Sequence, residues 1–289
     1  MAFTLKSFDR TLIYQGSPSA IQLQAHLKQI AEQDKQAEKR SKACFIIAVA
    51  LGLLFVLLLV LGGETSSVPP ALAGVVFIAA AVAGILSARW SRLDVPNLRY
   101  ILVMRLTDML SRDMAKGAPF NTRIDFTRPT AKKKQVSKEP WPARKGWKQA
   151  LFEDPWLSLS GCFLDNTLFS LSITELTVVR SGWKQTGAGK SKHKVKTKPK
   201  GMEARLSLKF PRKKYGAITM LQSEIEGAVT LPPGVVLKKV KANDNQLLLH
   251  VKVGPYSLNP DGFYQLFAQM LLSAYQVLNL SKELSKSPK

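Results

Sequence analysis

The chain is poor in the residue types from which most active sites are built. Its 289 residues include two cysteines and three histidines, and 20 Asp and Glu stand against 42 Lys and Arg. Cys44 lies inside a long apolar run and Cys162 in the remaining, soluble part, so we expect the two not to pair, which fits a reducing cytoplasm. The histidines lie far apart, without Cys or carboxylate at ligand spacing. We therefore expect no metal site.

Catalytic and nucleotide-binding motifs are also missing. No Gly-x-Ser-x-Gly elbow is present, and the acidic residues are scattered. Gly187-Ala188-Gly189-Lys190-Ser191 resembles the end of a phosphate-binding loop, but that motif requires glycine at position 184, where lysine stands, and a helix after it. Residues 192–200 have a β-like pattern with proline near its end. The sequence predicts a non-enzymatic protein with no catalytic residue, no cofactor and no small-molecule substrate.

Two long apolar runs dominate what is present. Ala43–Gly62 and Pro70–Ala88 carry no charge, and the polar stretch Gly63–Pro69 separates them. Each run reaches the ~20 residues that a helix needs to cross a bilayer core. Buried helices of a soluble protein are the alternative, but such helices seldom need so many uncharged residues. We therefore predict a two-pass membrane hairpin that acts as an anchor, because no ionisable residue lies within either run.

The charges beside the runs predict the orientation of this hairpin. Basic residues precede the first run and follow the second, whereas the turn holds only Glu64; the flanking basic residues are Lys28, Lys35, Lys39, Arg40, Lys42, Arg89, Arg92, Arg99 and Arg105. The positive-inside rule then places both termini in the cytoplasm, with the protein in the cell (inner) membrane. Small residues recur every fourth position, which favours close packing of the two helices; they are Cys44, Ala48 and Gly52 on the first, and Ala80, Gly84 and Ala88 on the second.

The remaining sequence divides by its periodicity. Residues 1–42 form an N-terminal segment and a cytoplasmic helix capped near Ser17, residues 43–88 the hairpin, and residues 89–116 an amphipathic cytoplasmic helix. This helix either packs on the 20–37 helix, which we favour, or lies flat on the membrane. Residues 117–156 look like a basic connector rich in Pro and Trp, whose Trp141 and Trp147 either contact a partner or dock the connector on the domain.

Residues 157–289 alternate with a period of two and then end in a helix. Polar and apolar residues alternate over 157–162, 168–173 and 204–210, and Asn243-Asp244-Asn245 separates two further strands, 235–241 and 246–253. Asn259-Pro260 is a typical helix start. The fold class expected is a membrane α-helical hairpin of two transmembrane helices with a cytoplasmic α+β domain: an antiparallel β-sheet or sandwich capped by a C-terminal amphipathic helix.

Lysine dominates the soluble part. The net charge is +22, and lysine occupies every even position from 190 to 200, so a strand there would carry six ammonium groups on one face. A cationic surface for an anionic partner, protection of an edge strand, and a disordered loop are the alternatives. The candidate anion-binding residues are Lys132, Lys133, Lys134, Lys145, Lys148, Lys190, Lys192, Lys194, Lys196, Lys198 and Lys200.

These features together predict a tethering, recruitment or scaffolding role at the membrane. The expected partner of the lysine-rich β domain is anionic, either inner-leaflet lipid headgroups or an acidic macromolecule. Two alternatives stay open, namely a membrane-tethered nucleic-acid-binding protein and an accessory subunit of a larger membrane complex.

Overall fold

The computed structural model describes residues 5–64, 70–185, 190–216, 218–221, 225, 227–255 and 259–286. The chain divides into two compact units, one of Met1–Gln24 with Leu98–Lys289 and the other of Ala25–Asn97. Of the expected fold class, the coarse outline is confirmed: two long apolar helices accompany an antiparallel β-sheet and a C-terminal helix.

The two long helices are α2 (Ala20–Glu64) and α3 (Pro70–Ser91), preceded by the short α1 (Leu5–Thr11). A capping box starts α2, because the Gln22 N–H donates to Ser19 Oγ at 3.4 Å and the Ser19 N–H donates to the Gln22 side chain at 3.1 Å. The cap is therefore Ser19 and not Ser17. By length and composition alone, α2 and α3 could each cross a membrane. The predicted turn at 65–69 lies outside the described residues.

Within the second unit, α2 and α3 run antiparallel in contact. The Ser41 and Ser87 hydroxyls donate to each other's backbone carbonyls at 3.2 and 3.0 Å. Further along, the Phe55 and Phe77 rings lie 5.3 Å apart between centroids. The Val95 N–H donates to the buried Asp34 carboxylate at 2.8 Å, which ties the residues after α3 to α2.

The helix contact uses a different stripe of α3 from the one predicted. Cys44, Ala48, Gly52 and Ala80 are half-buried, whereas Gly84 and Ala88 are exposed. The buried small residues of α3 are instead Ala73, Ala83 and Ser87. The reason is geometric: a helix turns every 3.6 residues, so a contact face mixes steps of three and four, and a strict four-residue stripe drifts away from it.

Eight strands of the described residues form one antiparallel sheet, with the order β1-β2-β4-β5-β6-β8-β7 and with β3 paired to β4. The sequence allowed either one sheet or a sandwich of two, and the described residues form one continuous sheet. The strands are β1 (Ile13–Gly16), β2 (Asn121–Asp125), β3 (Gln135–Pro140), β4 (Lys148–Cys162), β5 (Leu168–Gln185), β6 (Ser191–Lys209), β7 (Val235–Asn243) and β8 (Gln246–Val253).

The residues 117–156 differ from the connector expected there. They supply β2, β3 and the start of β4, so this stretch belongs to the sheet. Its prolines and basic residues resemble those of a connector, yet Pro140 and Lys148 lie at strand ends, and Pro155 lies inside β4 at a shift in its pairing with β5. The N-terminal β1 also joins the sheet, through β2.

Rows of apolar side chains across four strands make the sheet's core. One row is Leu159, Leu171, Leu206 and Leu249, each opposite the next and each at most 1% exposed. Since directly opposite residues share a face, the alternation read from the sequence places these leucines together. Parallel rows on either side are Leu157–Ile173–Ala204–Val251 and Phe169–Leu208–Leu247.

Helices complete this unit: α4 (Asn97–Ser111), the single turn α5 (Arg212–Tyr215) and α6 (Pro260–Lys286). The Gly262 N–H donates to the Asn259 side chain at 2.8 Å, so the predicted cap of α6 is confirmed. Helix α6 contacts β6 and α5, and its apolar face is buried, including Phe263, Phe267 and Met270 at 0–1% exposure.

Candidate functional site

The lysine-rich segment is an extended strand over most of its length. Residues 191–199 of β6 pair with residues 185–177 of β5, so of the three alternatives the disordered loop does not hold for these residues. Lys192, Lys194, Lys196 and Lys198 are exposed and share one face. Lys190 precedes the strand, and Lys200 falls at a bulge where the pairing shifts between Leu176 and Thr177. Four of the six lysines therefore keep the regular alternation.

Two basic residues that the sequence did not single out join this face. Lys184 lies opposite Lys192, and Arg180 lies opposite Lys196. We call Arg180, Lys184, Lys192, Lys194, Lys196 and Lys198 the lysine face. Only the strand register reveals that Arg180 and Lys184 belong to it, because nothing in a linear sequence specifies which residues of β5 face β6.

The two strand segments that carry this face hold no acid, although the exposed Glu139 of β3 lies in the same cross-strand row as Arg180, two strands away. Residues 177–185 and 190–200 contain eight Lys and Arg and no Asp or Glu. Within the described part of the chain, no ion pair involves a residue of the lysine face; Arg180 instead donates to the Gln149 side chain at 2.9 Å. Like charges at this density repel one another, so the field of the face attracts anions.

The tryptophans of the supposed connector are structural at this site. Trp147 is 3% exposed and covers Gly182, where an added Cβ would lie 2.5 Å from the ring. Its indole N–H donates to the Trp183 carbonyl at 3.1 Å. The Arg180 guanidinium lies over the Trp141 ring at 4.5 Å. Trp141 and Trp147 thus dock the 141–147 segment on the sheet, the second of the two roles that the sequence left open.

The predicted lysines before β4 do not gather on the lysine face. Lys132, Lys133 and Lys145 are exposed outside the strands, and Lys148 is exposed on the other face of the sheet, since it lies opposite Ser181. Lys134 departs most from the prediction. It is 7% exposed, and its ammonium lies 2.7 Å from Asp154 Oδ1 and 3.3 Å from Asp125 Oδ2, so buried carboxylates neutralise it.

Lys134 belongs to a buried ionic cluster that also contains Arg99 of α4. Arg99 is 2% exposed and donates to Asp154 Oδ2 at 2.7 Å and to Glu175 Oε2 at 3.0 Å. It also donates to the Asp125 carbonyl. Burial raises the pKa of the Asp125 carboxyl, but hydrogen bonds from Thr127 and the nearby lysines outweigh burial and hold that pKa below 3.8. The cluster joins α4 to β2, β4 and β5.

A cavity of about 600 Å³ lies between α4, α5, α6 and the turn after β4. Its wall is mostly apolar and includes Phe163 and Leu271. Two carboxylates, Asp113 and Asp165, also line it, and Asp165 accepts hydrogen bonds from the Tyr215 and Tyr275 hydroxyls and, at 2.8 Å, from the Thr167 hydroxyl. Asp165 therefore has its hydrogen bonds satisfied by the protein itself.

As far as the structure describes the chain, the edge of the sheet beside the lysine face is open. Strand β8 pairs with β6 only from Met202 to Lys209, and in the described parts of the chain no strand pairs with the outer side of residues 191–199. Edge protection by lysine, the second alternative, is thus consistent with this position.

Among the same described residues, no group of three His, Cys, Asp or Glu side chains could hold a metal ion.

Comparison with known proteins does not assign the chain to a family. No family model, curated protein or solved structure matches the chain.

Proposed function

We propose that this chain is a two-pass membrane protein, anchored in the cell membrane by α2 and α3 with both termini in the cytoplasm. Exposure of the apolar side chains supports insertion. In the most apolar 18-residue window of α2 no residue is buried, and in the corresponding window of α3 11% of the residues are buried. Phe45, Leu53 and Ile85 are 62–69% exposed. Water would make such exposure costly, at about 25 cal/mol per Å² of apolar surface, whereas lipid would not.

Cysteine labelling tests both insertion and orientation. In a background without Cys44 and Cys162, Ser66→Cys introduces a thiol between the apolar runs and Lys145→Cys one in the sheet unit. A membrane-impermeant maleimide should label Ser66→Cys in intact cells and Lys145→Cys only after permeabilisation. Labelling of Lys145→Cys in intact cells would refute the orientation. Release of the chain from membranes by alkaline carbonate would refute insertion.

We further propose that the lysine face binds an anionic partner, which makes the protein a non-enzymatic tether or scaffold at the membrane. The observation that carries this proposal is that no residue of the lysine face forms an ion pair within the described part of the chain, and that residues 177–185 and 191–199 contain no acid. Basic residues held together in this way give the face a strong field for anions. Binding through this field should weaken steeply with salt, because exposed charges are screened within about 8 Å at physiological ionic strength.

The test compares two quadruple variants of the full-length chain in detergent. Lys192, Lys194, Lys196 and Lys198 are changed to Ser in one; the control changes four exposed lysines outside the site, Lys209, Lys213, Lys239 and Lys241. The probes are anionic vesicles, polyglutamate and oligo-dT, in a salt series from about 50 to 200 mM. We expect the first variant to lose binding of at least one probe that the control retains. Equal binding by both variants would refute the proposal.

A fragment from Gly117 onward would not be a suitable substitute for the full chain. It lacks β1 and α4, so it removes Arg99 and leaves Asp154 and Glu175 without that partner. Asp154 then keeps only the Lys134 ammonium beside it, and loss of one partner from a buried ion pair costs several kcal/mol.

A further inference from the structure

The open edge beside the lysine face is long enough to pair with one more strand. Strand β8 covers the outer side of β6 up to Met202, and residues 191–199 continue beyond it with no strand alongside among the described residues. Nine residues of strand extend about 30 Å. Because each strand pairs on two sides, the outer side of this segment presents a row of backbone N–H and C=O groups to the solvent.

The lysines decide what can pair with this edge. A second copy of the chain would bring lysine against lysine, and directly opposed like charges destabilise a pair of strands. An incoming strand with Glu or Asp at every second position would instead place each carboxylate beside one of Lys192, Lys194, Lys196 and Lys198. The same pattern that protects the edge from self-association thus selects acidic strands.

We propose that residues 191–199 of β6 accept an extended acidic polypeptide segment, which adds one strand to the sheet with its alternate carboxylates against the lysine face. This inference rests on the proposed binding of an anionic partner and specifies its chemical class. Only a polypeptide satisfies both features of the site, since lipid headgroups and nucleic-acid phosphates neutralise lysines but do not continue a backbone ladder.

The structure also limits where the added strand lies. Pro199 has no N–H to donate, and the bulge at Lys200 interrupts the ladder just beyond it, so the pairing ends there. On the opposite face of β6, Val195 is 60% exposed, next to His193, which contacts the Trp183 ring. Residues of the guest that lie between its carboxylates would cover this less charged face.

Two synthetic peptides of equal composition test the proposal, one alternating Glu and Thr and the other with its Glu residues contiguous. Both have the same charge, but only the first matches the two-residue period of the strand. With the full-length chain in detergent, we expect the alternating peptide to bind about tenfold tighter, as four favourable cross-strand pairs allow. Hydrogen exchange should also show protection of amides within 191–199 when the alternating peptide is bound.

Matched variants keep the test independent of folding. The Lys192/194/196/198→Ser variant should lose the preference for the alternating peptide, and the Lys209/213/239/241→Ser control should keep it. Charge reversal supplies a second measurement: with Lys192, Lys194, Lys196 and Lys198 all changed to Glu, the chain should instead favour a peptide that alternates Lys and Thr.

The outcomes separate this inference from the function on which it rests. Equal binding of the two Glu peptides, with loss in the lysine variant, overturns strand addition while binding of an anion by the lysine face stands. Lysine-dependent binding of vesicles or oligo-dT with neither peptide bound overturns the polypeptide class. If no probe binds, the proposed function fails as well.

Discussion

Replacement of Arg99 by methionine is the sharpest test of how the sheet unit is held together. Methionine keeps much of the apolar stem and removes the guanidinium, which is 2% exposed and pairs with Asp154 and Glu175 at 2.7 and 3.0 Å. The guanidinium also lies over the Trp156 ring, 5.3 Å from its centroid. After the change, Asp154, which is 0% exposed, keeps only the Lys134 ammonium as an ionic partner.

The expected loss follows from this burial. Removing one partner of a buried ion pair costs about 3–5 kcal/mol, because the remaining charge stays out of water with less compensation; here the Lys134 ammonium alone remains beside Asp154. In a domain of 150–250 residues, 1 kcal/mol lowers the melting temperature by about 2–4 °C. Arg99→Met should therefore lower Tm by about 6–20 °C.

The control is Arg105→Met, the same substitution on the same helix. Arg105 also forms an ion pair, with Asp261, but the two side chains are 43% and 66% exposed, and such pairs contribute at most about 1 kcal/mol. Both variants are measured in the full chain by thermal melting in detergent, followed by near-UV circular dichroism. A second change, Asp154→Asn, should restore part of the stability of Arg99→Met. Equal effects of the two methionine variants would refute the argument from burial.

Three further predictions concern other parts of the molecule. Ala83→Ile should disrupt the contact of α3 with α2 and lower Tm, whereas Gly84→Ile should not, since a Cβ at Gly84 meets nothing within 4 Å. Gly182→Val should clash with the indole that covers it, cost about 1–3 kcal/mol, and shift the tryptophan fluorescence. Burial raises the pKa of the Asp165 carboxyl, but its hydrogen bonds outweigh burial and hold this pKa below 3.8. The ionised carboxylate therefore stabilises the fold fully above about pH 4, and this stabilisation is lost as the pH falls through the lowered pKa. In pH-dependent melting, Tyr215→Phe should reduce this loss of stability in acid.

Several elements were predictable because short-range pattern alone specifies them. The turn between β7 and β8 and the start of α6 agree with the sequence, because Asp244-Asn245 and the Asn259 cap act within a few residues. The apolar rows of the sheet follow from alternation once the strands are known. The alternation also predicted the exposed face of Lys192–Lys198, although not the additional members Arg180 and Lys184.

Other features could not be predicted because they depend on residues far apart in the chain. Arg99 counted in the sequence as one of the flanking positive charges, and Lys134 as an anion-binding residue, yet both are buried against Asp154. Pattern reasoning treats an isolated charge as exposed, and only a partner brought by another element makes its burial tolerable.

The sequence by itself determined the two long apolar runs, the excess of lysine, and the order of strands followed by a closing helix, because composition and periodicity act locally. Tertiary structure alone decided that residues 117–156 are part of the sheet and that, among the described residues, no strand lies beyond residues 191–199. It also decided which charges are buried in pairs and which remain available to a partner. Strand register and ion pairing join residues distant in sequence, and only packing of the whole domain selects among the alternatives.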